Sequence, residues 1–567
     1  MLEVTSANAF TVAIAGLVGL ILYQHFRVFS YWKVRGIDGP RPWPIFGTLI
    51  YYFFKNKIDV DLEWRKRYGH TYGLFEGFKP VLRTTDNNLI KHVFIKDFNS
   101  FTDRNTGAIN GDLIRRWLLF SKGKVWTNQR ALITPMFTSA KMHAMFSTMA
   151  ECKERFLEQV VGQKTRAQGD GKPVQISRRD ISLMTLDTIA SAFYGLNLNV
   201  YSEKHSEFIR QADNLGRMNI LRYILHSCTP SRVARYFKFD IAPSSDFDYF
   251  DKLCKQLIED RRKNLSTKAQ NGQAAKSAAP DFVRALIEAK LDVNNYEKVY
   301  TKEDNRDAHY NNQQSVEELE KVNESQTKSA QLFRSFSDIE IRGQLTFLLV
   351  ASYETTATSL GFCLFELAHR PEVQEELFEE LKDAQRQPLK ATDPSEQQHE
   401  HYTRIVDLKK LDAFLSEVLR LYCPLTDINR VVTAEEGATL PTEPKPLKLP
   451  YKSVIATAGY VLQRDEDYFE RPNEFDLTRF YPENRHKIKP ATFMPFGLGP
   501  RQCVGFRFAI LDMKLFLAKL ILKYKILPAT DDQHYPSEYK RHPIFLQIKA
   551  ESYRFLARRD NEQEKEN

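Results

Sequence analysis

Cys503 sits in the run Phe496-Gly497-Leu498-Gly499-Pro500-Arg501-Gln502-Cys503-Val504-Gly505, a loop with three glycines and a proline. An apolar, helix-prone stretch from Phe506 to Leu517 follows it. The cysteine has no CxxC, HxxxC or HxxxH neighbour, which makes it a poor member of a zinc ligand set. A single thiolate does suffice as the axial ligand of a haem iron. Glycines let the backbone approach a flat ring and take positive φ. Backbone N–H groups turned toward the sulfur, and a helix N-terminus just downstream, would favour thiolate over thiol. A structural cysteine in a tight turn fits the same ten residues.

Other residues have the types and spacing for chemistry. Trp126 and Arg130 lie four apart on a predicted helix and share a face. Glu417 and Arg420 lie three apart on another, a spacing equally common on solvent-exposed helices. Acid and hydroxyl groups occur together in Ala351-Ser352-Tyr353-Glu354-Thr355-Thr356, between two apolar runs. Polar groups in an apolar helix are costly unless used. His399 and His401 form an H-x-H in a charged stretch, a pattern more typical of exposed side chains than of a metal pair.

These groups need elements to hold them. Ser337 is a predicted N-cap, no proline occurs until Pro371, and a helix of about 33 residues, roughly 50 Å long, is expected between them. Val4 to Phe26 carries no Asp, Glu, Lys or Arg and is long enough to span a bilayer. Arg27, Lys33 and Arg35 follow it, so the positive-inside bias would place the rest of the chain in the cytosol. Gly36 to Pro44 reads as a stiff, helix-breaking hinge. Lys263–Ala279, Asn294–Lys328 and Gln385–Tyr402 read as polar insertions or loops.

Composition narrows the class. The chain has 567 residues, 42% hydrophobic and 27% charged, enough for a large globular core. Six cysteines without paired spacing argue for a reducing compartment and against a disulfide framework. The net charge of +9 is not gathered into a basic tract with interleaved aromatics, so no nucleic-acid partner is expected.

The residues from Phe496 to Gly505 match F-x-x-G-x-R-x-C-x-G at every fixed position. On that run the chain resembles the cytochrome P450 family, whose haem-thiolate loop has this pattern. Further matches recur in the family's order over about residues 30 to 550: the hinge, W-x-x-x-R, the acid–threonine segment, E-x-x-R and Arg430. GKVWTNQRALITPMFTSAKM and ASYETTATSL resemble the xenobiotic-metabolising microsomal branch that includes thromboxane synthase. The resemblance implies a mainly α fold with a small β part and an N-terminal transmembrane anchor helix. It implies a layout of anchor (1–29), proline-rich hinge (30–44), haem-binding catalytic domain (45–555) and charged tail (556–567).

The resemblance also implies roles. Cys503 would be the axial ligand of haem b (iron protoporphyrin IX), with Phe496 and Gly505 shaping its loop. Trp126, Arg130, Arg430 and Arg501 would hold the propionates. Glu354 and Thr355 would deliver protons, and Glu417, Arg420 and Arg479 would brace the fold beneath the haem. Ser352 stands where the family has glycine, and Gln463 where it has the histidine of an H-R-D. The implied activity is monooxygenation of a lipophilic small molecule at the endoplasmic reticulum membrane, by a single-pass protein with a cytosolic catalytic domain. Electrons would come from NADPH-cytochrome P450 reductase, since no flavin or nicotinamide fingerprint follows the haem domain. A reductase-independent isomerase or synthase acting on a peroxide, and a non-enzymatic membrane haem protein, are the alternative readings.

Overall fold

The protein is described from a computed structural model over residues 11–12, 15–16, 19, 23, 26–107, 109–169, 172–198, 200–201, 206–215, 220–240, 243–270, 282–289, 308–311, 335–529, 539–540, 547–548 and 553–559. It is mostly helical with a small β part. Five helices position the site: α1 (Gly123–Ile133), α2 (Arg178–Tyr194), α3 (Asp338–His369), α4 (Lys409–Leu421) and α5 (Phe506–Lys523). One mixed sheet completes the frame, built from β1 (Thr71–Glu76), β2 (Lys79–Thr84), β3 (Asp427–Val431) and β4 (Val454–Ala458) in the order β1-β2-β4-β3.

The expected long helix forms. Ser337 caps α3, and Glu340 reaches back to accept hydrogen bonds from Ser337 N at 3.0 Å and Ser337 Oγ at 2.6 Å. Pro371 opens the next helix, Pro371–Arg386. The first half of α3 packs Ile341, Leu345 and Leu349 into one core cluster, and the second half packs Leu360, Cys363 and Leu367 into another. Helix α5 joins the same two clusters through Phe508 and Leu511 on one side and Ile510 and Phe516 on the other. Both helices are therefore apolar nearly all round, as buried helices must be.

That burial corrects the expectation of an N-terminal transmembrane helix. Among the described residues, the helix long and apolar enough to cross a membrane is Asp338–His369, and 61% of its apolar window is buried inside the protein. It is the core helix α3, far from the N-terminus. Most of Val4–Phe26 lies outside the described residues.

In the sheet, β1 and β2 are antiparallel, β2 and β4 parallel, and β4 and β3 antiparallel. The parallel register sets Val81 against Val454. The hinge is laid onto β1: Gly73 N donates to Asp38 O at 2.8 Å and Trp32 Nε1 to Leu74 O at 2.9 Å. Gln385–Tyr402 is largely not a loop. Asp393 caps the helix Pro394–Val406, and Tyr402 turns inward from it. Its polar composition conceals a narrow apolar stripe. Lys263–Ala279 begins inside the helix Asp248–Gln270, and the rest of it lies outside the described residues. So does Asn294–Lys328, apart from residues 308–311.

Candidate functional site

The cysteine loop is a chain of tight turns. Gly497 N donates to Met494 O at 3.0 Å, Gln502 N to Gly499 O at 2.9 Å and Cys503 N to Phe496 O at 2.8 Å. Gly499 has φ +71°, and a Cβ there would stand 1.9 Å from Phe94 O, so no other residue fits. Gly505 has φ −96° and serves instead as the N-cap residue of α5. Cys503 is accessible, yet burial pushes its thiol up, opposed by the Gly505 backbone N–H and the guanidiniums of Arg130 and Arg104.

Four arginines converge on this loop. From α1, Arg130 Nη1 donates to Gln502 O at 2.9 Å, and Trp126 lies under the Arg501 guanidinium at 4.2 Å. Arg501 donates through Nε to Thr102 O at 2.7 Å and through Nη2 to Ser121 O at 2.9 Å. Arg430, on β3, lies over Phe94 at 4.5 Å and donates through Nη2 to Leu498 O at 3.2 Å. Arg104 Nη2 donates to Arg501 O at 2.8 Å. The carboxylate set against them is Asp103, 3.4 Å from Arg501 Nη2.

Charge of one sign is thus crowded into a dry place. Burial, then Arg104 and Arg501, hold the Arg430 guanidinium well below its ordinary value. Burial and Arg104 do the same to Arg501 against the opposing pull of Asp103. Arg104 is pushed down to about 10 by burial and Arg130. Arg104 Nε, Arg430 Nε and Arg501 Nη1 are buried and find no acceptor among the described residues. A set of guanidiniums with spare donors and too few carboxylates fits a group that brings its own carboxylates. Arg104 was not singled out from sequence, because an isolated loop arginine carries no periodic signal.

In α3, the Thr355 hydroxyl donates to Ala351 O at 2.6 Å and the Ser352 hydroxyl to Leu348 O at 2.5 Å. Each bonds back one turn within its own helix. Glu354 forms an ion pair with Arg178 at the start of α2. No hydrogen bond joins Glu354 to Thr355 among the described residues. Beside them Tyr353 donates to Asp213 at 2.8 Å.

Glu417 and Arg420 form a bidentate pair on α4, both bonds 2.7 Å and both side chains 0% exposed. Arg420 Nη1 also donates to Gln463 O at 2.8 Å and Pro472 O at 2.7 Å. Arg479 Nε stands 3.4 Å from Glu417 Oε1, while Asp476 N donates to that same oxygen at 2.8 Å. Gln463 donates to Leu419 O at 3.2 Å and Arg420 O at 2.9 Å, and accepts from Met494 N at 2.7 Å. An amide offers two donors where a neutral imidazole offers one. Gln463 thereby ties α4 to the segment leading into the cysteine loop.

The family model for cytochrome P450 matches residues 37–312 and 297–554. Cytochrome P450 3A11 of Mus musculus is 28% identical over 539 residues, covering 94% of either chain. Cytochrome P450 3A41 of Mus musculus is 28% identical over 529 residues, 92% of either chain. Cytochrome P450 3A14 of Cavia porcellus is 28% identical over 523 residues, 91% of either chain. The chain belongs to the cytochrome P450 family. It is a haem-thiolate monooxygenase, an oxidoreductase whose cofactor is haem. The family generally requires a reductase partner and acts on lipophilic substrates. Family membership is consistent with a protein of the endoplasmic reticulum membrane.

Proposed function

We propose that Cys503 is the thiolate ligand of the haem iron, and that Trp126, Arg130, Arg430 and Arg501, joined by Arg104, hold the propionates. The observation that carries this is the excess of buried guanidinium over carboxylate around the cysteine loop, with unused N–H donors. Bound haem supplies oxygen activation, and a thiolate ligand favours O–O cleavage. The chain supplies the rest. The Gly505 N–H, Arg130 and Arg104 stabilise negative charge on Cys503 Sγ. Phe496 closes the turn behind the sulfur, and Gly505 starts the helix beyond it. Glu417, Arg420 and Arg479 hold α4 against residues 463–479, which fixes the floor of the site.

On α3, Glu354 would carry protons inward and Thr355 would hand them on at Oγ1. Its hydroxyl now donates to Ala351 O, so it must rotate to donate elsewhere. Glu354 must likewise loosen from Arg178 to change protonation. The electron donor is NADPH-cytochrome P450 reductase, and its acidic docking surface would meet a chain of net charge +9. Residues 45–555 form the catalytic domain, on the cytosolic side of the endoplasmic reticulum membrane, with residues 30–44 as its hinge and 556–567 as a charged tail. The decisive test is Cys503→Ser. The reduced, CO-bound protein should lose the red-shifted Soret band of a haem thiolate, and retention of that band would show that another residue ligates the iron.

A further inference from the structure

Tyr310 lies against its neighbour His309, ring centroids 4.0 Å apart, and its other ring and hydrogen-bond partners come from far along the chain. Ala308–Asn311 forms a 3-10 turn, and the residues on either side, 290–307 and 312–334, lie outside the described residues. The Tyr310 ring is nevertheless 0% exposed. It lies beside Phe493 and Phe496 with ring centroids at 6.2 and 5.8 Å, edge-on to the second. Phe496 in turn meets Phe506 at 5.9 Å. Three rings therefore run in series along the cysteine turn. Phe496 O accepts from Cys503 N, and Phe506 is the first residue of α5.

The polar end of Tyr310 is fixed as firmly as its ring. Its hydroxyl donates to Asp412 Oδ1 at 3.2 Å and accepts from Ser416 Oγ at 3.1 Å, both on α4. Asp412 is held in turn by Lys514 of α5 at 2.8 Å, Arg485 at 2.6 Å and His309 at 3.0 Å. Burial alone would raise the Asp412 carboxyl, but Lys514, His309 and Arg485 outweigh it and keep it well below the usual range. The hydroxyl thus rests on a carboxylate locked between α4 and α5, and the ring leans on Phe496 from that fixed point.

We propose that Tyr310 is a positioning residue for the cysteine turn: its ring holds Phe496 and, through the Phe496 O–Cys503 N–H bond, sets the attitude of the Cys503 sulfur. This rests on the reading of Cys503 as the haem ligand. The turn itself has few constraints on that side, since two of its glycines have positive φ and no side chain to wedge it. An outside aromatic supplies the wedge. Supports of this kind orient a ligand without touching the metal. Removing the ring leaves Asp412 paired with Lys514 and Arg485 and hydrogen-bonded by His309, so the α4–α5 contact survives the substitution.

The test uses the full chain loaded with haem, comparing wild type with Tyr310→Phe, Tyr310→Ala and Cys503→Ser. The readouts are the ferrous–CO Soret band, its rate of collapse on mild warming, and the haem midpoint potential. Tyr310→Phe, which keeps the ring but loses its anchor on Asp412, should fall between wild type and Tyr310→Ala. Tyr310→Ala should keep its helix content but lose the red-shifted band about three- to tenfold faster, the worth of an aromatic pair, with a displaced potential. A Tyr310→Ala protein with wild-type potential and collapse rate overturns the proposal, and so does a Tyr310→Phe protein that behaves like Tyr310→Ala. If Tyr310→Ala yields no folded protein, Tyr310→Leu is read by the same two measurements, with the same outcomes for and against. Cys503→Ser separates the two readings: if it keeps the red-shifted band, the ligand assignment fails whatever Tyr310 does.

Discussion

Arg420 and Arg430 are close in the chain and equally buried, at 0% and 1% exposure, yet their surroundings are opposite. Arg420 has a bidentate carboxylate and three carbonyls, which consume its donors. Arg430 has two carbonyls, an aromatic face, an unused Nε and two further guanidiniums acting on it. The first arrangement is complete within the chain. The second is left with more guanidinium than carboxylate, which is what the proposed haem site calls for. Burial of a cation therefore does not separate structural from binding arginines. The balance of partners does.

The largest effect should come from opening the complete cluster. Glu417→Ala or Arg420→Ala leaves an uncompensated charge at a fully buried site, a loss of about 3–5 kcal/mol. Little folded holoprotein should be recovered, as read by soluble yield and haem content. Normal yield would mean that the pair is dispensable, and the contrast with Arg430 would disappear.

Arg430→Ala and Arg501→Ala should act differently. Hydrogen bonds to charged groups are worth roughly 1.5–3 kcal/mol, so each change should weaken haem retention by about ten- to a hundredfold. The haem-free protein should be no less stable in urea, because the substitution also removes like-charge repulsion. If haem-free Arg430→Ala unfolds as readily as Arg420→Ala, both clusters are structural and the comparison is broken.

A third measurement extends the contrast to α3, where Glu354 has its cation and Thr355 bonds only within its own helix. Thr355→Ala should leave fold and CO spectrum intact. With reductase present, NADPH should still be consumed, but a larger share should end as hydrogen peroxide and less as oxygenated product. Because the Ser352 hydroxyl is one turn away on the helix, Ser352→Gly/Thr355→Ala is the stricter variant. Unchanged product per NADPH in the double variant would remove these residues from the proton path.

The smallest effect concerns pH. Asp412 titrates well below the usual range when folded and near 3.9 when unfolded. A depressed folded value stabilises fully above the unfolded value and ceases to do so as pH falls through the folded one. Asp412→Asn should therefore lower stability at neutral pH and flatten its loss below about pH 4, followed as the acid unfolding midpoint. An acid limb identical to wild type would mean that Lys514 and Arg485 find other partners.

Much of this could be read from residues alone. The turn around Cys503, the cap at Ser337 and the break at Pro371 are local, and each stands in the structure where its residue types put it. What escaped was carried by long-range contact. Arg104 gains its meaning only from Arg501, Glu354 only from Arg178, and Asp412 only from Lys514 and Arg485. The helix at Pro394–Val406 was hidden by composition, since one buried tyrosine on a polar surface leaves little periodic signal. Apolarity misled at the N-terminus for the converse reason: the membrane-length helix among the described residues is a core element, and hydropathy does not distinguish lipid from protein interior.

The pairing of Val81 with Val454, and the bonds from Arg501 to Thr102 and Ser121, have a consequence for how the protein is made. Strand β2 emerges early from the ribosome but has no neighbour on one edge until β4 has been synthesised. The proposed propionate cradle closes later still, when Arg501 arrives. Throughout most of translation the early strands present an open edge of the kind that invites wrong pairing. On that proposal, capture of haem is confined to the finished or nearly finished polypeptide. Chains cut short before Arg501 should emerge colourless and dependent on chaperones, however much of their helix content has formed.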